Sequence, residues 1–439
     1  MRARIAVTVA AFLALAAPAA GARHVAERYV PMKVPPGPGP AKYDRVFVEK
    51  LIPPEETRSV LVLVPGTNGG AGGVLPVARE IAKRVPHLQV WIVDRREQAL
   101  EDTSVFKTGD PQQAQDYYLG FKYRHVDGSD AKFVANWGLN LQLSDLRSVI
   151  RRAGVEGRRV LLGGHSAGAS TAVAYAAWDF GGRPGYRDLD GLVLIDGGLL
   201  GSFKSADLKR ARSELADIRG GNVFFDVLGL GLPEINGIFT EVGALWAYKR
   251  PDEPSVLQDY PALPDSVKPP VRVTNEALFG YAFDETSSPD LLSIIHLRAG
   301  RLADSGDPRG WVDGELTPIQ RHARAWAAEG PNATEWYYPR RLLLDIDAAS
   351  PLRRTPAARY LRLRVMHGNE IGLPLYAYST DLTQGRAARG ARRLARISRI
   401  EHPTVVDDRR ASHLDPLSAA PRTNRFLKTV VPFLRRVVP

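Results

Sequence analysis

The chain has 439 residues, of which 44% are hydrophobic and 24% charged, a composition typical of a globular protein with a buried core. It has no cysteine, which excludes disulfide bonds, a lipid-modified cysteine anchor and thiolate metal sites. The net charge of +11 comes largely from arginine, but no basic motif with interleaved aromatic residues accompanies it, so the sequence does not indicate a nucleic-acid-binding protein.

The N-terminus has the pattern of a secretory signal. Arg2 and Arg4 precede an apolar run over 5–17, and Ala20-Gly21-Ala22 supplies the small residues of a cleavage site. The run is short for a membrane span. We therefore predict a signal peptide over 1–22 and a protein that is secreted or held in the periplasm or cell envelope. An uncleaved N-terminal anchor is the alternative.

A proline-rich lead over 23–42 is predicted to be extended, and short apolar runs follow it. The first two runs predict strands that end at Val64 and Val93. The next leads directly into Ser166, and the fourth ends at Ile195. Unbroken apolar runs of this kind are typical of strands covered on both faces, as in a parallel sheet.

Helical patterns lie between these runs. Four apolar residues recur on one face of a predicted helix: Leu139, Leu143, Leu146 and Ile150. The small, alanine-rich segment after Ser166 suits a helix that packs closely on a sheet. This alternation of strands and helices predicts a mostly parallel, doubly wound α/β fold.

The alternation stops after Gly198 and resumes near residue 351. The resumed part predicts a strand in "YLRLRVMHGNE", a basic helix, a strand in "ARISRIEHPT" and a final helix. We therefore predict one α/β core, formed by 43–200 and 351–439, with a cap insertion over 201–350 between the sixth and seventh strands. The strongly apolar stretch 222–248 is interpreted either as an acyl-binding roof or mobile lid, or as the core of the cap itself.

The sequence Gly-His-Ser-Ala-Gly places Ser166 between a buried strand and a small-residue helix. In that context the motif predicts a strained turn that exposes the serine hydroxyl and the N–H of Ala167. A glycine-rich turn after Val64, "PGTNGG", lies at the end of another strand and supplies a second N–H, assigned to Thr67. The two amides predict an oxyanion hole.

These two turns resemble the nucleophile elbow and oxyanion turn of the α/β-hydrolase superfamily, with Pro65 where many members have histidine. The resemblance implies that an acid and then a histidine follow the serine along the chain. His413, in "ASHLDPL" after the last predicted strand, matches the position of the base, and the segment looks like the histidine turn of acid lipases. Asp415 is interpreted as a turn-forming residue.

The resemblance leaves two candidates for the acid. Family members usually have Asp or Glu shortly after the seventh strand, and "MHGNEIGLP" offers Glu370 there, one residue earlier than the usual position, which Ile371 occupies. Asp196, at the end of "LVLIDGG", is the alternative, since acids after the sixth strand serve in some lipases. We prefer Glu370, with Asp196 as the alternative.

The sequence therefore predicts an exported serine esterase of the lipase-like kind, acting on a small-molecule or lipid-like ester. The alternatives are a peptidase, thioesterase or acyltransferase on the same fold, or a non-catalytic binding or envelope protein that kept it. No metal motif and no cofactor motif is found. The arginines over 386–399 are interpreted as a solvated helix face, with weak attraction to anionic surfaces second. The oligomeric state is not indicated.

Overall fold

The computed structural model describes residues 24–227, 229–261 and 263–438, so the predicted signal peptide lies outside the described residues. The strands are β1 (Ala26–Lys33), β2 (Arg45–Ile52), β3 (Ser59–Val64), β4 (Leu88–Asp94), β5 (Arg159–His165), β6 (Gly191–Ile195), β7 (Gly300–Gly306), β8 (Arg309–Asp313), β9 (Leu375–Ser379) and β10 (Thr404–Asp407). Eight of them form one sheet, in the order β1-β2-β4-β3-β5-β6-β9-β10, and β7 and β8 form a separate hairpin.

The main sheet is parallel from β4 to β10, and β1 and β2 extend it with antiparallel pairs. Parallel strands place all their carboxyl ends along one edge, which gathers the turns after β3, β4, β5, β6 and β9 there. β1 lies within the proline-rich lead, where the sequence predicted only extended chain. The lead therefore adds an edge strand to the sheet.

Helices flank the sheet and build the insertion. They are α1 (Ala71–Arg84), α2 (Pro111–Ala114), α3 (Leu139–Ala153), α4 (Ala167–Ala177), α5 (Leu208–Arg219), α6 (Ile235–Lys249), α7 (Asn275–Phe283), α8 (Ile319–Trp326), α9 (Arg340–Ala349), α10 (Pro356–Tyr360), α11 (Arg386–Ile397), α12 (Asp415–Ser418) and α13 (Arg425–Val437). In β3, Val60 and Val62 belong to the hydrophobic core on one face of the sheet, and Leu61 and Leu63 to the core on the other. The central strands are thus buried on both faces, which explains their unbroken apolar sequence.

The two strands predicted near the C-terminus are wrong. The segment 361–365 buries alternate residues, Leu361, Leu363 and Val365, but it makes only one isolated bridge, from Val365 to Trp178, and no strand. The segment predicted as the last strand, "ARISRIEHPT", instead ends α11, and β10 begins only at Thr404. The real seventh strand of the sheet is β9, whose five residues are all buried.

The chain between β6 and β9 carries α5 to α10 and the β7–β8 hairpin. Within the apolar stretch 222–248, α6 buries Ile238, Val242 and Leu245 completely, and it packs against α7 and α8. These contacts support the interpretation that most of this stretch forms the interior of the insertion.

Three further features concern the basic helix α11, membrane spans and metal sites. Every arginine of α11 is exposed, as a solvated helix face requires. In the part of the chain that the structure describes, no helix is long and apolar enough to cross a membrane, and no group of three or more acidic or histidine side chains could hold a metal ion.

Candidate active site

Ser166 occupies a strained turn between β5 and α4. Its backbone angles are φ 55° and ψ −121°, a region that residues with a side chain rarely adopt. The turn is possible because Gly164 and Gly168 meet backbone with no room for a side chain: a Cβ atom on Gly168 would lie 2.0 Å from the Val64 carbonyl oxygen, and one on Gly164 would lie 2.3 Å from the carbonyl carbon of Gly168. The sequence motif is therefore a sharp elbow, which leaves Ser166 partly exposed.

The glycine-rich turn after β3 lies against this elbow. A Cβ atom on Gly66 would lie 3.0 Å from Cβ of Ser166. Thr67 follows Gly66, and its N–H makes no hydrogen bond within the described residues. Ala167 is the first residue of α4, so its N–H has no carbonyl one turn earlier in the helix. The structure thus brings both predicted oxyanion amides to the two turns that meet at Ser166.

His413 pairs with Asp196. Nδ1 of His413 lies 2.6 Å from Oδ2 of Asp196, and both side chains are buried. Asp196 follows β6, the strand next to β5, and the Ser166 N–H donates to the Ile195 carbonyl at 2.9 Å. A Cβ atom on Gly197 would lie 2.2 Å from the Ser166 carbonyl oxygen. The Asp196 turn therefore packs directly on the Ser166 turn.

Asp196 is held in its orientation by the loop after β9. The Thr380 N–H donates to Oδ1 at 2.8 Å, the Thr383 hydroxyl donates to the same oxygen at 3.0 Å, and the Thr380 hydroxyl donates to Oδ2. Burial on its own raises the pKa of Asp196, but the hydrogen bonds from His413 and Thr380 outweigh it and hold the pKa below its usual value. Asp196 is therefore an ionised carboxylate facing His413.

The preference for Glu370 as the acid is corrected by these contacts. Oε1 of Glu370 lies 2.8 Å from Nδ1 of His367, and Tyr186 donates to its other oxygen at 3.2 Å. The hydrogen bond from His367 lowers the pKa of Glu370. Glu370 precedes β9 instead of following it, so its side chain does not lie at the edge where the strands end. Its contacts are those of a structural ion pair.

His165, the residue before the serine, is buried and supports the backbone of His413. Its Nε2 lies 3.0 Å from the His413 carbonyl oxygen, and the two rings lie 4.2 Å apart between their centroids. Burial, followed by the charge of His413, lowers the pKa of His165 to about 3. A neutral His165 thus donates one hydrogen bond to the backbone of His413.

The turn that carries His413 is fastened on both sides. Asp415 accepts the Ser412 N–H at 2.7 Å and the Thr317 hydroxyl at 2.6 Å, as expected of a residue that closes a turn. The Leu414 N–H donates to the carbonyl of His296, which lies in the insertion. His413 is therefore held by both the core and the insertion.

A polar cleft of about 400 Å³ opens beside His413. Side chains from the insertion and from the loop after β9 line it, among them Asp290, Ser293, His296, Asp381 and Gln384. An apolar cavity of about 100 Å³ lies inside the insertion, lined by α6 and α7. The 3₁₀ turn Asp290–Ile295 separates the two: Asp290 and Ser293 face the cleft, and Leu292 and Ile295 face the cavity.

The sequence did not indicate the residues that hold Asp196 in its orientation. Thr380 and Thr383 belong to a loop after a strand that the sequence did not reveal, so nothing placed them near Asp196. One signal was available: Asp196 comes directly after a predicted strand at the edge where Ser166 lies.

No protein-family model matches the sequence, and no curated protein sequence matches it. Solved structures resemble the chain over nearly its whole length. One is a proposed lipase from Sulfolobus solfataricus, with 16% identity, a TM-score of 0.50 and 94% of each chain covered. Another is a soluble variant of monoglyceride lipase from Saccharomyces cerevisiae, with 9% identity, a TM-score of 0.45, and 95% of this chain and 97% of that one covered. An α/β-hydrolase fold protein from Nakamurella multipartita has 12% identity, a TM-score of 0.40, and coverage of 93% and 99%.

At 16% identity, the similarity to the Sulfolobus solfataricus structure concerns the fold alone, and it agrees with the mostly parallel sheet described above. The chain therefore has the fold of the α/β-hydrolase superfamily, as the resemblance of the two turns predicted.

Proposed function

We propose that the protein is a serine hydrolase that cleaves carboxylic esters, with Ser166 as nucleophile, His413 as base and Asp196 as the orienting acid. The observation that carries this proposal is the buried hydrogen bond between His413 and Asp196, on turns that pack on the strained Ser166 elbow. A nucleophile, a base and a group that orients the base are the arrangement that acyl transfer requires.

In the proposed mechanism Oγ of Ser166 attacks the ester carbonyl carbon while Nε2 of His413 takes the hydroxyl proton. The N–H groups of Thr67 and Ala167 bind the oxyanion that forms. The C–O bond to the alcohol then breaks, and His413 returns the proton to the alcohol oxygen. Water repeats the sequence on the acyl-enzyme, releasing the carboxylic acid and the free serine. Asp196 stays ionised and stabilises the His413 imidazolium.

Two alternatives to an esterase can be tested: a non-catalytic protein and another enzyme that uses the same residues. Glu370 departs from the usual position of the acid, which favours a non-catalytic protein, whereas the contact between Asp196 and His413 supports an enzyme with a complete triad. A peptidase, thioesterase or acyltransferase would use the same residues, so a panel of esters, thioesters and aminoacyl amides with one acyl group separates these activities. Ester hydrolysis at the highest kcat/KM is the expected result.

We further propose that the acyl chain enters the apolar cavity of the insertion. The cavity lies behind the turn Asp290–Ile295, whose other side lines the cleft beside His413. Gly243 of α6 lines this cavity, and a Cβ atom there makes only ordinary contacts, 3.6 Å from Phe279 and 3.8 Å from Leu257. The first atom of a side chain at Gly243 therefore meets no backbone, and Gly243→Leu is the variant chosen to fill the cavity.

The test is hydrolysis of p-nitrophenyl acetate, butyrate and palmitate by the protein beside Ser166→Ala and Gly243→Leu. We expect turnover that requires Ser166, with Gly243→Leu slowing the palmitate reaction and sparing the acetate reaction. Turnover that persists in Ser166→Ala contradicts the proposed nucleophile. An unchanged chain-length profile in Gly243→Leu contradicts the acyl cavity alone.

Export is a separate part of the proposal and depends on residues 1–22. Expression in a bacterial host followed by N-terminal sequencing of the periplasmic fraction tests it. We expect a mature chain that begins at or near Arg23. A cytoplasmic protein that keeps Met1 contradicts the proposed signal peptide.

A further inference from the structure

We propose that Arg95, held by Glu335 of the insertion, is a positioning residue that aims and polarises the Thr67 N–H of the oxyanion hole. This inference rests on the proposed function, because it assigns a role within the same catalytic site. It concerns residues that the sequence motifs did not mark as part of that site.

Arg95 reaches the oxyanion turn from the neighbouring strand. It follows β4 directly, and β4 lies beside β3 in the sheet, so both turns leave the same edge. Nη2 of Arg95 donates to the Pro65 carbonyl at 2.6 Å and to the Gly66 carbonyl at 3.3 Å. The guanidinium thus binds the two carbonyl groups that immediately precede the Thr67 amide.

The contact with Gly66 has a direct effect on the amide. The Gly66 carbonyl and the Thr67 N–H belong to one planar peptide group, and in a trans peptide they point in opposite directions. A carbonyl turned toward Arg95 therefore turns the Thr67 N–H away from Arg95. A positive charge on that carbonyl also draws electrons from the amide, which strengthens its N–H as a donor.

Glu335 fixes the guanidinium. Its Oε2 lies 2.7 Å from Nη1 of Arg95, and the two side chains are only 1% and 4% exposed. Burial raises the pKa of Glu335, and the adjacent Arg95 opposes that rise. The Arg95 carbon Cζ also lies 5.2 Å from the centre of the Tyr338 ring. Arg95 is therefore confined to one orientation by groups from the insertion.

The backbone around Glu335 binds the same turn. The Glu335 N–H donates to the Asn68 carbonyl at 2.8 Å, and the Gly70 N–H donates to the Ala333 carbonyl at 2.8 Å. Gly69 and Thr334 form an antiparallel bridge. A short segment of the insertion, 332–335, thus runs along the oxyanion turn, and the Arg95–Glu335 pair closes its end.

A neighbouring ion pair provides a matched control. Arg96 and Asp145 are equally buried, at 2% and 4% exposure, and Nε of Arg96 lies 2.6 Å from the Asp145 carboxylate. Arg96 donates to the carbonyls of Pro35 and Tyr43 in the N-terminal part of the chain and makes no hydrogen bond to the oxyanion turn within the described residues. If buried charge pairing alone mattered, the two arginines would behave alike.

The experiment compares Arg95→Lys and Glu335→Gln with Arg96→Lys and Asp145→Asn. For each variant, kcat and KM for p-nitrophenyl butyrate are measured per active site, after counting the sites by complete fluorophosphonate labelling. The inhibition constant of a butyl trifluoromethyl ketone is measured in parallel, because this ketone forms an oxyanion on the serine.

We expect Arg95→Lys and Glu335→Gln to lower kcat per site by about 10-fold to 100-fold, which is less than the effect of removing an oxyanion donor completely. KM should be nearly unchanged. The ketone should bind more weakly by a similar factor. Arg96→Lys and Asp145→Asn should lower Tm but leave kcat per site and ketone binding intact. If Arg95→Lys fails to fold, Glu335→Gln, which keeps the shape of the side chain, carries the comparison.

Equal effects of the two pairs on kcat per site, or loss of kcat without weaker ketone binding, overturn the inference and leave the proposed function standing. Absence of ester hydrolysis by the unsubstituted protein contradicts the proposed function itself and, with it, the role of Arg95 in the oxyanion hole. The two failures are therefore distinguishable.

Discussion

Replacing Asp196 by asparagine tests which carboxylate orients His413. Asparagine has the shape of aspartate and can still accept the Thr380 N–H, but its NH₂ group cannot accept a hydrogen bond from the His413 Nδ1–H. The ring then loses its orientation or takes the wrong tautomer, and the imidazolium formed during attack loses its counter-charge. By analogy with serine proteases we expect kcat to fall by about 10⁴, or about 5.4 kcal/mol in activation free energy.

The assay is p-nitrophenyl butyrate hydrolysis by Asp196→Asn and Glu370→Gln, each normalised to folded protein by circular dichroism. Glu370 contacts His367 and Tyr186, so Glu370→Gln should keep kcat within about twofold of the unsubstituted protein, as for most partly exposed ion pairs. Loss of activity in Glu370→Gln, with activity retained in Asp196→Asn, would show that Glu370 orients His413.

Three further predictions concern stability. Gly168→Ala should lower the free energy of unfolding by about 3 kcal/mol or more, because its Cβ would lie 2.0 Å from the Val64 carbonyl oxygen. Gly330→Ala, which has open space around it, is the control in a urea titration, and equal unfolding midpoints of the two variants would contradict the prediction. His165→Phe keeps an aromatic ring but leaves the His413 carbonyl without its hydrogen-bond donor, so the free energy of unfolding in the same titration should fall by about 1–3 kcal/mol. An unchanged midpoint would argue against the hydrogen bond from His165 to His413. Burial raises the pKa of Glu241 from 4.5 to about 8, so between these pH values the folded state binds more protons than the unfolded state, and the contribution of Glu241 to stability falls as pH rises. The Tm of the unsubstituted protein minus the Tm of Glu241→Gln should therefore decrease from pH 5 to 8. An increase would refute the raised pKa of Glu241.

The local parts of the fold could be predicted from the sequence. The strands that end at Val64 and Ile195 and the helix after Ser166 form where apolar runs and small residues indicated them. Their signals are local, since a strand buried on both faces must be apolar throughout and the elbow requires glycine at fixed spacing. The predicted positions of Ser166, Thr67 and Ala167 depend only on these turns.

The preference for Glu370 arose because the sequence placed the seventh strand too early in the chain. Leu361, Leu363 and Val365 alternate with exposed arginines, which copies the pattern of a strand, yet Arg362 has φ 60° and the segment packs outside the sheet. Alternating apolar residues indicate that one face of an extended segment is buried, but they do not indicate whether a sheet or another part of the protein covers that face. With β9 located at Leu375–Ser379, Glu370 precedes the strand, and Asp196 is the carboxylate that faces His413.

Contacts between distant parts of the chain gave no sequence signal at all. Arg95 and Glu335 lie 240 positions apart, and no motif in the sequence indicates that the two side chains meet. The contacts of Arg95 with Pro65 and Gly66 join the turns after two different strands, so only the structure reveals them.

Covalent labelling of the protein with a fluorophosphonate, followed by mass mapping of the modified peptide, decides whether Ser166 is the nucleophile. We predict one adduct per chain, on Ser166, with labelling abolished in Ser166→Ala and slowed strongly in Asp196→Asn. An adduct on another residue, or full labelling of Ser166→Ala, would contradict the proposal that Ser166 is the nucleophile of a serine hydrolase.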